Sequence, residues 1–166
     1  MTEATLTIRR AVETDRPRLA VLLGEMQTHY KSENPPGAAE EGARLLTQAG
    51  ERIPFVLVAE RAEKIVGMAI LNPIFYGGPF RWSLFLKDLY VSADARNLRI
   101  GRLLLAAIAR TALQEDYCRV DWTAEGWNDG AQRFYEGLGI PRLDKRNYRL
   151  AGDDLKRLGR DSWKSS

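Results

Sequence analysis

The 166-residue chain has one cysteine, Cys118, and one histidine, His29. One thiol excludes an intramolecular disulfide and is too few for a structural zinc site, and a lone imidazole argues against His-based metal or triad chemistry, so no metal is expected. Long apolar runs are missing as well. No stretch approaches the roughly 18 apolar residues of a membrane span, and the start MTEATLTIRRAVETD has no apolar core of the signal-peptide kind. A cytoplasmic protein without a membrane partner is the expectation. Neither sign of charge dominates: 25 basic and 22 acidic residues give a net charge of +3. That balance argues against nucleic acid as a main partner and leaves room for a small anionic ligand. The GxxxxGK[ST] phosphate loop is absent, and no GxGxxG follows a strand. Hydrophobic residues make up 45% of the chain, with no internal repeat or linker. A single domain over residues 1–166 is therefore expected, with only the tail RDSWKSS loosely held.

What is present reads as alternating strands and helices. Leu6 to Arg10 alternates as an edge strand. A helix follows, with Asp15 as N-cap, Pro17 in its first turn and an apolar face from Leu19 to Met26, ending near Tyr30. KSENPPG then breaks the pattern before a second helix from Ala38 to Gln48. Phe55 to Glu60 and Ile65 to Asn72 flank the polar RAEK turn as a hairpin, and Pro73 to Arg81, with Gly77-Gly78-Pro79, reads as a further turn. Short connections require antiparallel pairing, while Cys118 to Thr123 can return parallel after a crossover helix.

The stretch KDLYVSADARNLRIGRLLLAAIAR, from Lys87 to Arg110, carries the chemistry. The strand that holds Leu89, Tyr90 and Val91 runs into the polar loop SADARNLRIG. That loop opens into a helix with Ile100, Leu103, Leu104, Ala107 and Ile108 at helical spacing. A helix start presents unpaired N–H groups and the positive end of a dipole, which suits a phosphate beside Arg96, Arg99 and Arg102. Arg96-Asn97-Leu98-Arg99-Ile100-Gly101 resembles the [QR]xxGx[GA] pyrophosphate loop of the GCN5-related N-acetyltransferases, with Arg99 where the middle glycine stands. A second stretch, Trp127-Asn128-Asp129-Gly130-Ala131-Gln132-Arg133-Phe134-Tyr135, resembles the N-x-x-A-x-x-F-Y segment of the same family. Two partial motifs in the right order are more specific than either alone. WSLFLKDLYV, DWTAEGWN and NYRLAGDDLKRL are most similar to the diamine, polyamine and thialysine branch.

The resemblance implies an α/β fold with a mixed, mostly antiparallel sheet, a splayed strand pair and flanking helices. It also implies acetyl-CoA as co-substrate, a small-molecule primary amine as acceptor, direct transfer and a homodimer. Leu89, Tyr90 and Val91 would offer backbone groups to the pantetheine arm. Residues Arg96, Asn97, Leu98, Arg99, Ile100, Gly101 and Arg102 would hold the pyrophosphate, with Asn128, Ala131 and Tyr135 also seating the cofactor. Tyr135 is the expected general acid, because a phenol within hydrogen-bond reach can protonate a departing thiolate. A glutamate common in the branch is replaced by Lys87, which leaves Asp88 and Glu125 as candidate bases. Adjacent strand residues face opposite sides unless a bulge intervenes, so Lys87 and Asp88 cannot otherwise share a site. Tyr30, Trp82, Lys87, Asp88 and Trp122 are the candidate acceptor contacts. Two other readings stay open: a non-catalytic acyl-CoA-binding domain and a protein N-terminal amine acetyltransferase. Packing alone would explain Tyr135, and helix capping alone would explain Asn128.

Overall fold

The computed structural model describes residues 5–76 and 80–160. The expected turn at Gly77-Gly78-Pro79 and all but the first residue of the expected loose tail lie outside the described residues. The chain forms two compact units, Met1–Thr123 and Ala124–Ser166.

The first unit is built on a five-stranded sheet in the order β1-β2-β3-β4-β5: Leu6–Arg10, Phe55–Arg61, Lys64–Tyr76, Arg81–Val91 and Val120–Trp122. The first four strands are antiparallel and β5 joins β4 in parallel, so the sheet is mixed and mostly antiparallel, as expected. Strand alternation sends side chains to two layers. Leu57, Ala59, Ala69, Leu71, Leu84 and Leu86 pack with Ile100, Leu104 and Ile108 of helix α3, Ile100–Gln114. Val56, Val58, Met68 and Ile70 pack on the other face. Their partners are Leu19, Leu22 and Leu23 of α1, Arg16–His29, and Ala43 of α2, Ala38–Leu46. Gly67 permits a close approach here: a Cβ would stand 3.2 Å from both Ile100 Cγ2 and the Tyr90 carbonyl oxygen. The start of α3 is thereby set hard against β3 and β4.

β3 continues through Pro73 to Tyr76, where a turn was expected. The pairing explains why proline is tolerated. Leu84 N donates to Arg119 O on the approach to β5, so Leu84 and its partner Pro73 form a pair without mutual hydrogen bonds. The missing N–H of Pro73 therefore faces the side where β2 has ended, its last pair being Phe55 with Leu71. β5 is also shorter than its apolar stretch suggests.

Asp15 does more than begin a helix. It is 8% exposed, accepts both Arg9 guanidinium nitrogens at 2.7 and 2.9 Å, and accepts Val12 N at 2.8 Å. It thus fixes the short 3-10 turn Glu13–Asp15 ahead of α1 and makes no side-chain cap to α1 itself. The bond from Arg9 holds its carboxyl below the usual range, against the opposing effect of burial.

The second unit contains α4, Asp129–Glu136, and α5, Gly152–Leu158. Asn128 caps α4 by accepting Ala131 N at 3.1 Å, as the motif predicts, and Gly139 turns the chain out at φ +72°.

Asp15→Ala is expected to lower the unfolding free energy by about 1–3 kcal/mol at pH 7, because it strands the Val12 amide and part of Arg9. Asp15's folded pKa is depressed, so this stabilisation is present above about pH 4 and is lost as pH falls through the lowered value. Urea denaturation at pH 7 and pH 3 checks both points, the second by a narrower gap between variant and wild type.

Candidate active site

The site begins at an irregularity in β4. Ile70 of β3 pairs with Asp88 and the next residue, Leu71, pairs with Leu86, so Lys87 is an extra residue and forms a β-bulge. Leu84 and Leu86 before it, and Leu89 and Val91 after it, all pack toward α3. Lys87 and Asp88 consequently both lie off that face, on the side of α1. The bulge that would let both residues share a site is present.

The parallel partner ends at the same place. β5 pairs with Leu84, Phe85 and Leu86 and goes no further. Ser92 N donates to Val66 O on β3 at 3.0 Å. Alternation then turns the backbone groups of Asp88 and Tyr90 toward β3 and those of Leu89 and Val91 toward the side that β5 has left.

Beyond Val91, a 3-10 turn at Ala93–Ala95 leads to Arg96 in extended conformation. Asn97 and Arg99 both take left-handed backbone, φ 66° and 59°. Asparagine tolerates this region, whereas arginine there costs about 1 kcal/mol, which is why the family pattern resembled above has glycine. The first helical bond of α3 is Leu103 N to Arg99 O, 3.1 Å. The amides of Ile100, Gly101 and Arg102 therefore precede any helical acceptor, an arrangement that can receive an anion. Arg96 reaches back to Val91 O at 3.4 Å and to the Tyr90 phenol. Arg99 and Arg102 are exposed and form no ion pair among the described residues.

Asp88 is half-buried and has no hydrogen-bond partner among the described residues. Burial pushes its carboxyl above the usual range, and the charge of Lys87 opposes that only in part. Lys87 is exposed.

A polar cluster that the sequence reading did not identify lies on the same face of the sheet. Glu25 of α1 accepts Ser92 Oγ at 3.0 Å and Tyr90 Oη at 3.4 Å on one oxygen, while its other oxygen lies 3.4 Å from Arg18. Arg18 also donates to Ile65 O at 2.9 Å. The Tyr90 phenol is pushed up by desolvation first and by the Glu25 charge second. The His29 ring stands 6.3 Å from Tyr90 and 5.2 Å from Tyr30. Arg18, Leu22, Glu25 and His29 share one helix stripe, so polar residues flanking a buried leucine were the available signal.

The expected acceptor residues separate into two groups. Lys87 and Asp88 share the α1 side, and Tyr30 ends α1. Trp82 and Trp122 pack toward α3, with the Arg52 guanidinium 4.9 Å from Trp82 and Phe75 edge-on to it at 5.7 Å. The tryptophans therefore do not share a face with Asp88. In the second unit, Tyr135 is half-buried beside Phe134, ring centroids 5.2 Å apart. Glu125 is exposed, and its carbonyl oxygen accepts Asn128 N and the Gln132 amide. Ala131 is fixed through its amide by Asn128.

Comparison with known proteins bears on the family and the fold. Residues 23–140 match the acetyltransferase (GNAT) family. The L-ornithine N5-acetyltransferase NATA1 of Arabidopsis thaliana is 28% identical over 95 residues, 57% of this chain and 42% of that protein. An integron cassette protein from the mobile metagenome of V. cholerae has TM-score 0.79 and 26% identity, over 94% of this chain and 98% of its own. Aminoglycoside N-acetyltransferase AAC(6')-Iy, solved in complex with CoA, has TM-score 0.74 and 16% identity over 88% and 94% of the two chains. The chain thus belongs to the GNAT family and carries its α/β fold, while spanning less than half the length of the curated ornithine enzyme.

Asp88→Asn should make the folded chain more stable at pH 7. A carboxyl with a raised folded pKa binds its proton more tightly folded than unfolded, so its contribution falls as pH rises from about 4 through the raised value. The variant lacks that decline. Urea midpoints of the two proteins should coincide near pH 3.5 and separate in favour of the variant by pH 7.

Proposed function

We propose that the chain transfers an acetyl group from acetyl-CoA directly to a primary amine of a small molecule. The observation that carries this reading is the bulge at Lys87 together with the end of β5. It leaves backbone groups of Leu89 and Val91 uncovered by β5, beside a loop whose open helix amides and arginines suit an anion. Leu89, Tyr90 and Val91 would take the pantetheine arm, and a backbone N–H there would polarise the thioester carbonyl. The pyrophosphate would rest on the amides from Asn97 to Arg102, with Arg96, Arg99 and Arg102 as charge-assisted donors.

The chemistry needs a neutral amine, a held carbonyl and a proton for sulfur. Asp88 suits the base role, since a carboxylate with a raised pKa and no hydrogen-bond partner among the described residues can accept the ammonium proton, directly or through a water. The amine nitrogen then bonds the acetyl carbon and the C–S bond breaks; by the motif resemblance Tyr135 would give its proton to the thiolate, and the proton that the new amide nitrogen sheds would restore the phenol. Glu125, exposed in a loop, is the weaker base candidate. Asn128 and Ala131 would help seat the cofactor at the start of α4.

The acceptor we favour is a diamine, polyamine or thialysine-like amino acid, handled by a cytoplasmic homodimeric single-domain enzyme. The similarity to an ornithine acetyltransferase supports an amine on a short aliphatic chain. Lys87 on the side of Asp88 would repel the distal ammonium of a polyamine and attract a carboxylate.

Thiol release from acetyl-CoA with a panel of free amines and N-terminal peptides tests the reading. Turnover with free amines is expected. CoA binding without thiol release would indicate a non-catalytic domain, and peptide preference an N-terminal acetyltransferase.

Tyr135→Phe should lower kcat by roughly 10²–10⁴-fold with little change in CoA affinity. Near-wild-type kcat would leave that hydroxyl with a packing role. Short amines or thialysine-like amino acids should show higher kcat/KM than spermine, and Lys87→Glu should shift preference toward polyamines. Spermine as best substrate with a silent Lys87→Glu would place the Lys87 side chain away from the acceptor.

A further inference from the structure

Glu25 takes no part in the proposed chemistry, yet it is tied to the strand end that feeds the phosphate loop. Tyr90 and Ser92 are i and i+2 along the chain leaving β4, so their side chains emerge on one face, and both hydroxyls donate to the same Glu25 oxygen, at 3.4 and 3.0 Å. Both residues are buried, Tyr90 at 7% and Ser92 at 2% exposure. Ser92 is also held through its backbone: its N–H donates to Val66 O, and its carbonyl accepts Ala95 N, both at 3.0 Å. Arg18 closes the cluster by reaching Ser92 Oγ at 3.4 Å and Ile65 O at 2.9 Å. Tyr90 in turn meets the side chain of Arg96, the first residue of the phosphate loop. A chain of contacts thus runs from α1 through Glu25 to Tyr90 and Ser92, and on to Arg96.

We infer that Glu25 is a positioning residue for the phosphate loop: by holding Tyr90 and Ser92 against α1 it fixes where the 3-10 turn leaves β4. That placement sets Arg96 and the open amides of α3 relative to the pyrophosphate. The inference rests on the acetyl-CoA reading. The required function is geometric, because Glu25 offers acceptor oxygens to hydroxyls and its charge is met by Arg18. Glutamine keeps an acceptor oxygen and should largely preserve the arrangement. Alanine leaves two buried hydroxyls without an acceptor and frees the strand end.

The test compares two acetyl donors. Acetyl-CoA carries the pyrophosphate; acetyl-pantetheine carries the same thioester and arm without it. Glu25→Ala should raise KM for acetyl-CoA about tenfold with kcat within about twofold, while KM for acetyl-pantetheine, whose arm would meet only the β4 backbone that β3 still pairs, rises by much less. Glu25→Gln should return KM for acetyl-CoA to within about threefold of wild type. Ser92→Ala removes donor and orphan together, so it folds without an unsatisfied hydroxyl and should reproduce a smaller rise for acetyl-CoA alone. Equal losses with both donors would mean general damage to the fold and would overturn the inference, as would unchanged KM in Glu25→Ala and Ser92→Ala. Calorimetric titration with CoA separates the two levels of the argument. Binding by wild type that is unaltered in both variants overturns only the role of Glu25, whereas no CoA binding by wild type overturns the acetyl-CoA reading with it.

Discussion

Between the pairs Leu86–Leu71 and Asp88–Ile70, strand β4 carries one residue more than β3. A sheet cannot absorb that residue without breaking alternation, and the break falls where the parallel partner β5 ends. Three consequences come from this one constraint. The apolar face of β4 resumes toward α3 after the bulge, so the core is preserved. Two charged neighbours, Lys87 and Asp88, are delivered to the same side of the sheet. Leu89 and Val91 keep backbone groups that β5 does not cover.

The electrostatics of the two sides differ in kind. Around the loop before α3, helix amides and Arg99 and Arg102 present positive charge that no acidic side chain among the described residues neutralises, at the cost of an arginine in left-handed backbone. The penalty of about 1 kcal/mol is one that the proposed anion-binding role of this loop would account for. On the α1 side, Asp88 is desolvated without a hydrogen-bond partner among the described residues, whereas Asp15 is buried with two donors. Burial that the Lys87 charge offsets only in part raises the first carboxyl, and the Arg9 bonds lower the second. The same residue type is therefore a structural anchor at one end of α1 and a proton acceptor candidate near the other.

Much of the sheet was legible because alternation and short polar turns specify antiparallel neighbours, as with Val56, Val58 and Ala59 against Gly67, Met68 and Ile70. The loop and the α4 cap were legible because Arg96, Asn97 and Asn128 sit at positions with distinctive backbone demands. The bulge was visible only as the charged pair Lys87-Asp88 interrupting an apolar run, since sequence spacing does not reveal which partner strand lacks a residue. Pro73 was misleading for a related reason: a proline reads as a turn unless one knows that β2 has already ended beside it. Trp82 and Trp122 read as acceptor walls from their chemistry, while strand parity turns them toward α3. Glu25 was overlooked because a mid-helix glutamate ordinarily reads as solvated surface, and its partners Tyr90 and Ser92 are more than sixty residues away in sequence.

The central claim is that β4 beyond its bulge and the start of α3 form one ligand-binding backbone surface. Amide hydrogen exchange of the free chain and its CoA complex tests this at single-residue resolution. The account predicts that CoA slows exchange at Leu89 and Val91 and from Asn97 to Arg102, and leaves Leu84 and Leu86, already paired with β5, unchanged. Protection confined to other segments, with Leu89 and Val91 exchanging as in the free chain, would contradict it.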